Sequence, residues 1–271
     1  VQQPTRRSVV AAIASLPLVA ACSSGTSAAP STPRTPTGRT STQRPGTVQV
    51  LGSVPASQLA AYRAHVSTGM RLVSEVWRPR WSTIAVRVVI AATGEEFARL
   101  TGRPADGTVP AVTTAAGLVA IHPALWTSTS APGRQVVITH ELTHVALGQG
   151  GLTGVPLWVV EGSAELTAYR ATGLPAATVA PSLAREVAAG RVPGGPPTDD
   201  VLRLRSRTVL PLGYQQAWAW CTFLVDRTGL EAFTRFVRAA DAGDSGAFRR
   251  TYGTTPSSLG PTYGAWLRRQ L

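Results

Sequence analysis

Lysine is absent from this 271-residue chain: its 26 basic side chains are all arginine, against 14 acidic ones, for a net charge of +12. Such an excess would suit nucleic acid if the arginines were clustered and interleaved with exposed aromatic rings. They are spread out instead, and the tightest group, Arg203-Leu204-Arg205-Ser206-Arg207, is short. No nucleic-acid partner is expected; what the charge supplies is a nonspecific attraction to anionic surfaces. Cysteine is nearly absent. Cys22 and Cys221 lie in unlike contexts, so no disulfide is expected, and Cys221 in its apolar run reads as a buried thiol. Beyond the N-terminus no stretch reaches the roughly 18 apolar residues of a membrane span, so no internal span is expected. Histidine is scarce, with four in the chain, and two of them fall within five positions. Apolar residues are plentiful at 44%, enough for a core in one large domain or two small ones.

Residues 1–22 read as an export signal. Arg6-Arg7 form the basic start and Val9 to about Ala21 the apolar stretch, which ends in Val19-Ala20-Ala21-Cys22. Small residues before a cysteine resemble a bacterial lipobox, in which the cysteine is lipidated; Leu18 sits one place further from Cys22 than the usual leucine. A plain signal peptide with an incidental cysteine is the alternative. Thr5-Arg6-Arg7 also resembles a twin-arginine signal without its Phe-Leu-Lys part, which leaves the export route open. Residues 23–47 are Ser, Thr, Pro, Gly and Arg with scarcely an apolar side chain, too polar to offset chain entropy, and read as a disordered tether. The expected location is outside the cell, lipid-anchored to the outer face of a bacterial membrane through Cys22.

The folded part is expected from near Val48. Leu59, Tyr62, Val66, Met70, Val73 and Val76 recur at three and four, predicting a helix over 56–77. His65 on it reads as a packing or surface residue. Ile84 to Ala92 reads as a strand, 94–101 as a short helix, 102–114 as a loop, and Gly117 to Ile121 as a second strand. His122 ends that strand and reads as structural, with contact to substrate as the alternative. Ser130 as N-cap, Pro132 in the first turn and Gly148 as the stop predict a helix from about Pro132 to Leu147. A glycine-rich loop follows, and Pro156 starts another helix. Further helices are expected near Ser182 to Ala189, from Leu212 to about Arg227, from Leu230 to Ala240, and at the C-terminus from Leu259. Trp218 and Trp220 read as core, and the pair Asp199-Asp200 as helix-capping.

The stretch that carries chemistry is His140-Glu141-Leu142-Thr143-His144. On a helix, residues four apart share a face one turn apart, so His140 and His144 can point two imidazoles at one metal ion. Glu141 lies beside the position left open for water, where a carboxylate can take a proton. Glu161, on the next helix, supplies a third donor; two His and one carboxylate with an open fourth position is the pattern of a catalytic zinc site. Glu165, one turn past Glu161, can accept from a ligand imidazole and fix its tautomer. The bland readings are a surface carboxylate for either glutamate.

H-E-x-x-H followed by Pro156-Leu157-Trp158-Val159-Val160-Glu161-Gly162-Ser163-Ala164-Glu165 resembles the gluzincin group of zinc metallopeptidases, the peptidase MA-like superfamily of thermolysin-like and aminopeptidase N-like enzymes. The resemblance implies that His140, His144 and Glu161 bind Zn2+, that Glu141 is general base and proton donor, and that Glu165 is the acid behind a ligand. It implies an α+β fold: a thermolysin/aminopeptidase-like unit over 48–271, with a small mixed-sheet lobe (about 48–150) and a mostly helical lobe (about 151–271). In such enzymes the strand before the metal helix, here Gly117 to Ile121, often edges the cleft and pairs with extended substrate. Leu212-Gly213-Tyr214 is similar to the segment where a tyrosine opens a helix and steadies an oxyanion, which makes Tyr214 a candidate; a packing tyrosine is the alternative. The resemblance is good over roughly 115–240. No G-x-M-E-N stretch stands upstream, so nothing argues for exopeptidase action.

The expected activity is therefore hydrolysis of peptide bonds in a peptide or protein, by a monomeric, surface-anchored zinc endopeptidase. Two alternatives stand beside it: a gluzincin-scaffold lipoprotein that binds an envelope partner without turnover, and a zinc amidase acting on cell-wall material.

Overall fold

A computed structural model describes residues 46–203 and 210–271. The export signal with Cys22, nearly all of the tether, and Leu204–Arg207 of the arginine run lie outside the described residues.

The first half is a four-stranded sheet with helices on both faces. Strand β1 (Val48–Gly52) leads into helix α1 (Ala56–Trp77), then β2 (Val86–Ile90), helix α2 (Gly94–Thr101), β3 (Ala111–Thr113) and β4 (Leu118–Ile121). The strand order is β1-β2-β4-β3, with β1, β2 and β4 parallel and β3 antiparallel to β4. Alternation sorts the side chains. Val50, Val86, Val88, Ile90, Ala111, Val119 and Ile121 enter the main core, while Val112 and Ala120 face a small cluster with Phe97 of α2. Thr93 caps α2 by accepting from Glu96 N, and Glu96 Oε2 accepts in turn from Ala92 N. Helix α1 ends at Arg78, whose φ of 47° is left-handed and whose N–H bonds Ser74 O.

Two expectations are corrected here. The stretch 102–114 contains β3, a strand of three residues, too short for alternation to show. Gly117 to Ile121 does form a strand, but β4 is interior to the sheet, between β2 and β3; the edge on that side is β3. A cleft edge on this side of the sheet therefore belongs to Ala111–Thr113.

Past β4 the chain is helical: α3 (Leu125–Ser128), α4 (Ala131–Leu147), α5 (Leu157–Arg170), α6 (Ala176–Val179), α7 (Pro181–Ala188), α8 (Asp199–Arg203), α9 (Leu210–Thr228), α10 (Leu230–Asp241), α11 (Ala247–Tyr252) and α12 (Gly260–Gln270). Helix α4 is the hub. Residues 136–145 are buried without interruption, which a helix shows when it is packed on all sides. Helix α1 comes close enough that a Cβ on Gly69 would lie 2.8 Å from Leu142 Cδ1. Gln135 of α4 ties the two together, its amide bonding His65 Nδ1 at 2.9 Å and His65 O at 3.0 Å. The Trp77 indole donates to Thr167 Oγ1 of α5 at 2.8 Å, and Trp266 of α12 donates to Asp226 Oδ2 of α9 at 3.0 Å. The main core runs continuously from the sheet through α4 and α5 into α9 and α10. Cys221, Trp218 and Trp220 are buried in it. Among the described residues no helix is long and apolar enough to cross a membrane.

Candidate metal centre

Local chemistry sets α4 in place. Ser130 Oγ accepts from Gly133 N at 3.3 Å, and Pro132 occupies the first turn. Gly148 closes the helix at φ 68°, and Gln149 N bonds back to His144 O at 2.9 Å. That six-to-one bond is a Schellman stop, which needs a residue free to adopt positive φ. Helix α5 starts after Pro156, and its first N–H, on Leu157, is taken by Asp199 Oδ1 at 2.8 Å. An acidic side chain suits the positive end of a helix. Asp199 thus caps α5, a helix far from its own in sequence, while also pairing with Arg203 at 3.1 Å.

These two helices bring His140, His144 and Glu161 together, all buried. His140 Nε2 lies 3.1 Å from His144 Nε2 and 3.3 Å from Glu161 Oε2; His144 Nε2 lies 3.7 Å from the same oxygen. The outer face of each ring is also occupied. His140 Nδ1 is 3.1 Å from Glu165 Oε1, and His144 Nδ1 is 3.1 Å from Gln149 Oε1. Neither oxygen can donate, so in the neutral rings a proton on Nδ1 suits both neighbours and leaves the Nε2 lone pair turned inward. Two lone pairs and a carboxylate then face one another, an arrangement that a cation relieves. Donors at ~2.0–2.2 Å from a tetrahedral zinc lie roughly 3.3–3.6 Å apart, close to the separations here. The residues fit a metal ion.

Charge balance points the same way. Burial disfavours a charged imidazole at His140, but Glu161 and Glu165 outweigh it and raise the ring to about 10. Burial would raise Glu161, yet the bonds from His140 and His144 bring it down to about 2. Glu165 is pushed up by burial, against the pull of His140. Left without a metal, the cluster draws a positive charge onto itself.

Glu141 faces the sheet. It is 1% exposed, and its Oε2 accepts from Thr113 Oγ1 at 2.7 Å, the same hydroxyl lying 3.0 Å from Glu141 O. Tyr214 is buried beside the cluster, its ring centroid 6.4 Å from that of His140. Helix α9 begins at Leu210, so Tyr214 sits in its second turn rather than opening it. Gly162 brings α9 this near: a Cβ there would lie 2.6 Å from Cys221 Sγ and 2.8 Å from Ala217 O.

Four of the six site residues read from the sequence within 48–271 thus meet directly (His140, His144, Glu161, Glu165), while Glu141 bonds Thr113 and Tyr214 lies alongside. His65 and His122 stand apart. His122 Nδ1 accepts from Ala124 N at 3.1 Å and Nε2 bonds Ala105 O at 2.9 Å, so it braces a loop. Two neighbours of the centre were not anticipated. Thr113 was hidden in the expected loop. Gln149 carried a usable signal: it is the residue after the helix-stopping glycine, which a Schellman stop places beside His144. No family model matches this chain, and no curated protein does.

Proposed function

We propose that this protein is a zinc-dependent metallopeptidase of the gluzincin kind, an endopeptidase with a thermolysin/aminopeptidase-like catalytic unit. The observation that carries the reading is the convergence of His140, His144 and Glu161, each imidazole backed on its outer nitrogen, with Glu141 alongside. Zinc held by those three donors would supply Lewis acidity, polarising the scissile carbonyl and lowering the pKa of water. The chain's own residues do the rest. Glu141, steadied at Oε2 by Thr113, takes the proton of the attacking water and passes it to the leaving amine. The Tyr214 phenol donates toward the developing oxyanion. Glu165 holds the proton on His140 Nδ1 and so keeps Nε2 free. Placement at the outer face of a bacterial membrane, through a lipid on Cys22, belongs to the same proposal and rests on the signal-like residues 1–22 and the polar tether 23–47.

The test is Glu141→Gln. The variant is expected to bind zinc like the wild type and to lose ~10²–10⁴-fold in cleavage of unfolded casein, the scale of a missing general base. Cleavage at the wild-type rate would remove Glu141 from the role. Turnover of purified wall material in place of casein would move the same chemistry to a non-peptide amide.

A further inference from the structure

The two imidazoles are backed by different devices, and the second one is not explained by the three ligands or the base. Gln149 is fully buried. Its Oε1 lies 3.1 Å from His144 Nδ1, and its Nε2 donates to Asp241 at 2.9 Å to Oδ2 and 3.2 Å to Oδ1. An amide can present either end to a neighbour, but an ionised carboxylate only accepts. Asp241 therefore claims the NH2 end and turns the oxygen toward His144. An amide oxygen only accepts as well, so the proton of His144 is held on Nδ1 and Nε2 is left with its lone pair.

We propose that Gln149 and Asp241 are positioning residues for metal binding, a two-step relay that fixes the tautomer and the ring angle of His144. The inference rests on the metal reading of the centre. Glu141, Glu161 and Glu165 already place three carboxylates around the two rings, and a fourth in direct contact would add repulsion. The amide transmits orientation while leaving the charge one residue further away. The connection depends on the Schellman stop, which sets Gln149 against His144, and on Asp241 as the last residue of α10. If the bonds served only to fasten α10 to the end of α4, metal affinity would not follow them.

The experiment uses the full chain, as wild type, Gln149→Leu, Gln149→Glu and Asp241→Ala. Zn2+ affinity is read by competition with a chelating dye and ligand-field geometry by the visible spectrum of the Co2+ form. Gln149→Leu is expected to weaken Zn2+ by about 10–100-fold, the usual cost of losing a partner behind a ligand, and to shift the Co2+ bands. Gln149→Glu is expected to stay close to wild type, because a carboxyl sharing its proton with Asp241 presents the same donor and acceptor. Asp241→Ala, which frees the amide to turn, is expected to fall between. A folded Gln149→Leu with wild-type affinity and spectrum overturns the proposal. If that variant does not fold, the other two decide: Asp241→Ala equal to wild type, or Gln149→Glu weakened by more than tenfold, overturns it. A wild type that binds no Zn2+ defeats the metal reading itself, a result distinct from equal binding by all four proteins.

Discussion

His140 and His144 sit one turn apart on the same helix, yet their surroundings are assembled in different ways. His140 is backed by Glu165, four residues from Glu161 on α5, so one helix supplies both a carboxylate facing the rings and the acid behind His140. His144 is backed through Gln149 by Asp241, which lies 92 residues past Gln149 in sequence. The first device is local and carries its charge in direct contact. The second is assembled by tertiary packing, with a neutral amide in between. Two equivalent imidazoles can thus be oriented by unequal means, and the means differ in how far a disturbance elsewhere in the fold is felt.

The largest expected effect removes the donor both rings share. Glu161→Ala should weaken zinc by more than the ~100-fold cost of an outer partner, measured as zinc content after dialysis against a chelator. Retention of one zinc per chain would mean that Glu161 is not a ligand. Next come the two backings themselves. Glu165→Gln should cost about 10–100-fold in zinc affinity, and combining it with Gln149→Leu should multiply the two losses, because each acts on its own ring. A double variant no worse than Glu165→Gln alone would show that the rings are not separately supported.

Thr113→Val sharpens the comparison from outside it, since Thr113 touches Glu141 and neither imidazole. Zinc affinity should stay within about twofold while turnover falls about tenfold, the scale of one lost hydrogen bond of about 1.4 kcal/mol. Equal losses in both would place Thr113 with the ligands. The smallest effect concerns Asp241. Burial raises its carboxyl from 3.8 to about 6, against the hydrogen bond from Gln149, which lowers it. Across that window the folded chain binds more protons than the unfolded one, so this group's contribution to stability falls as pH rises and is least favourable above about pH 6. In the metal-free protein, the melting midpoint of Asp241→Asn relative to wild type should therefore climb between about pH 4 and pH 7. A flat difference would argue against a costly buried charge.

The same contrast explains what could be read in the sequence. Helix α4 was legible because its stop and start signals, Ser130, Pro132 and Gly148, act within a few residues. Glu165 was legible because helical spacing ties it to Glu161. Thr113 was not, since β3 is only three residues long and earns its place by pairing with β4. The edge position is illegible for the same reason: strand order is a property of the sheet, and Leu118–Ile121 reads alike as an interior or an edge strand. Asp199 was read as a capping residue, but nothing local pointed to Leu157 as the N–H it would cap.

Gly162 also behaves as a mechanical part. With only a hydrogen at the meeting point, the Gly162 backbone of α5 rests against Cys221 Sγ and Ala217 O of α9, a seating that any larger side chain there would displace. The contact works as a detent that sets the axial position of α9. Tyr214 lies one turn up from Ala217, so its distance from His140 is machined into the seating of two helices rather than left to a loop or a rotamer. Tolerance at that point is the width of a methyl group.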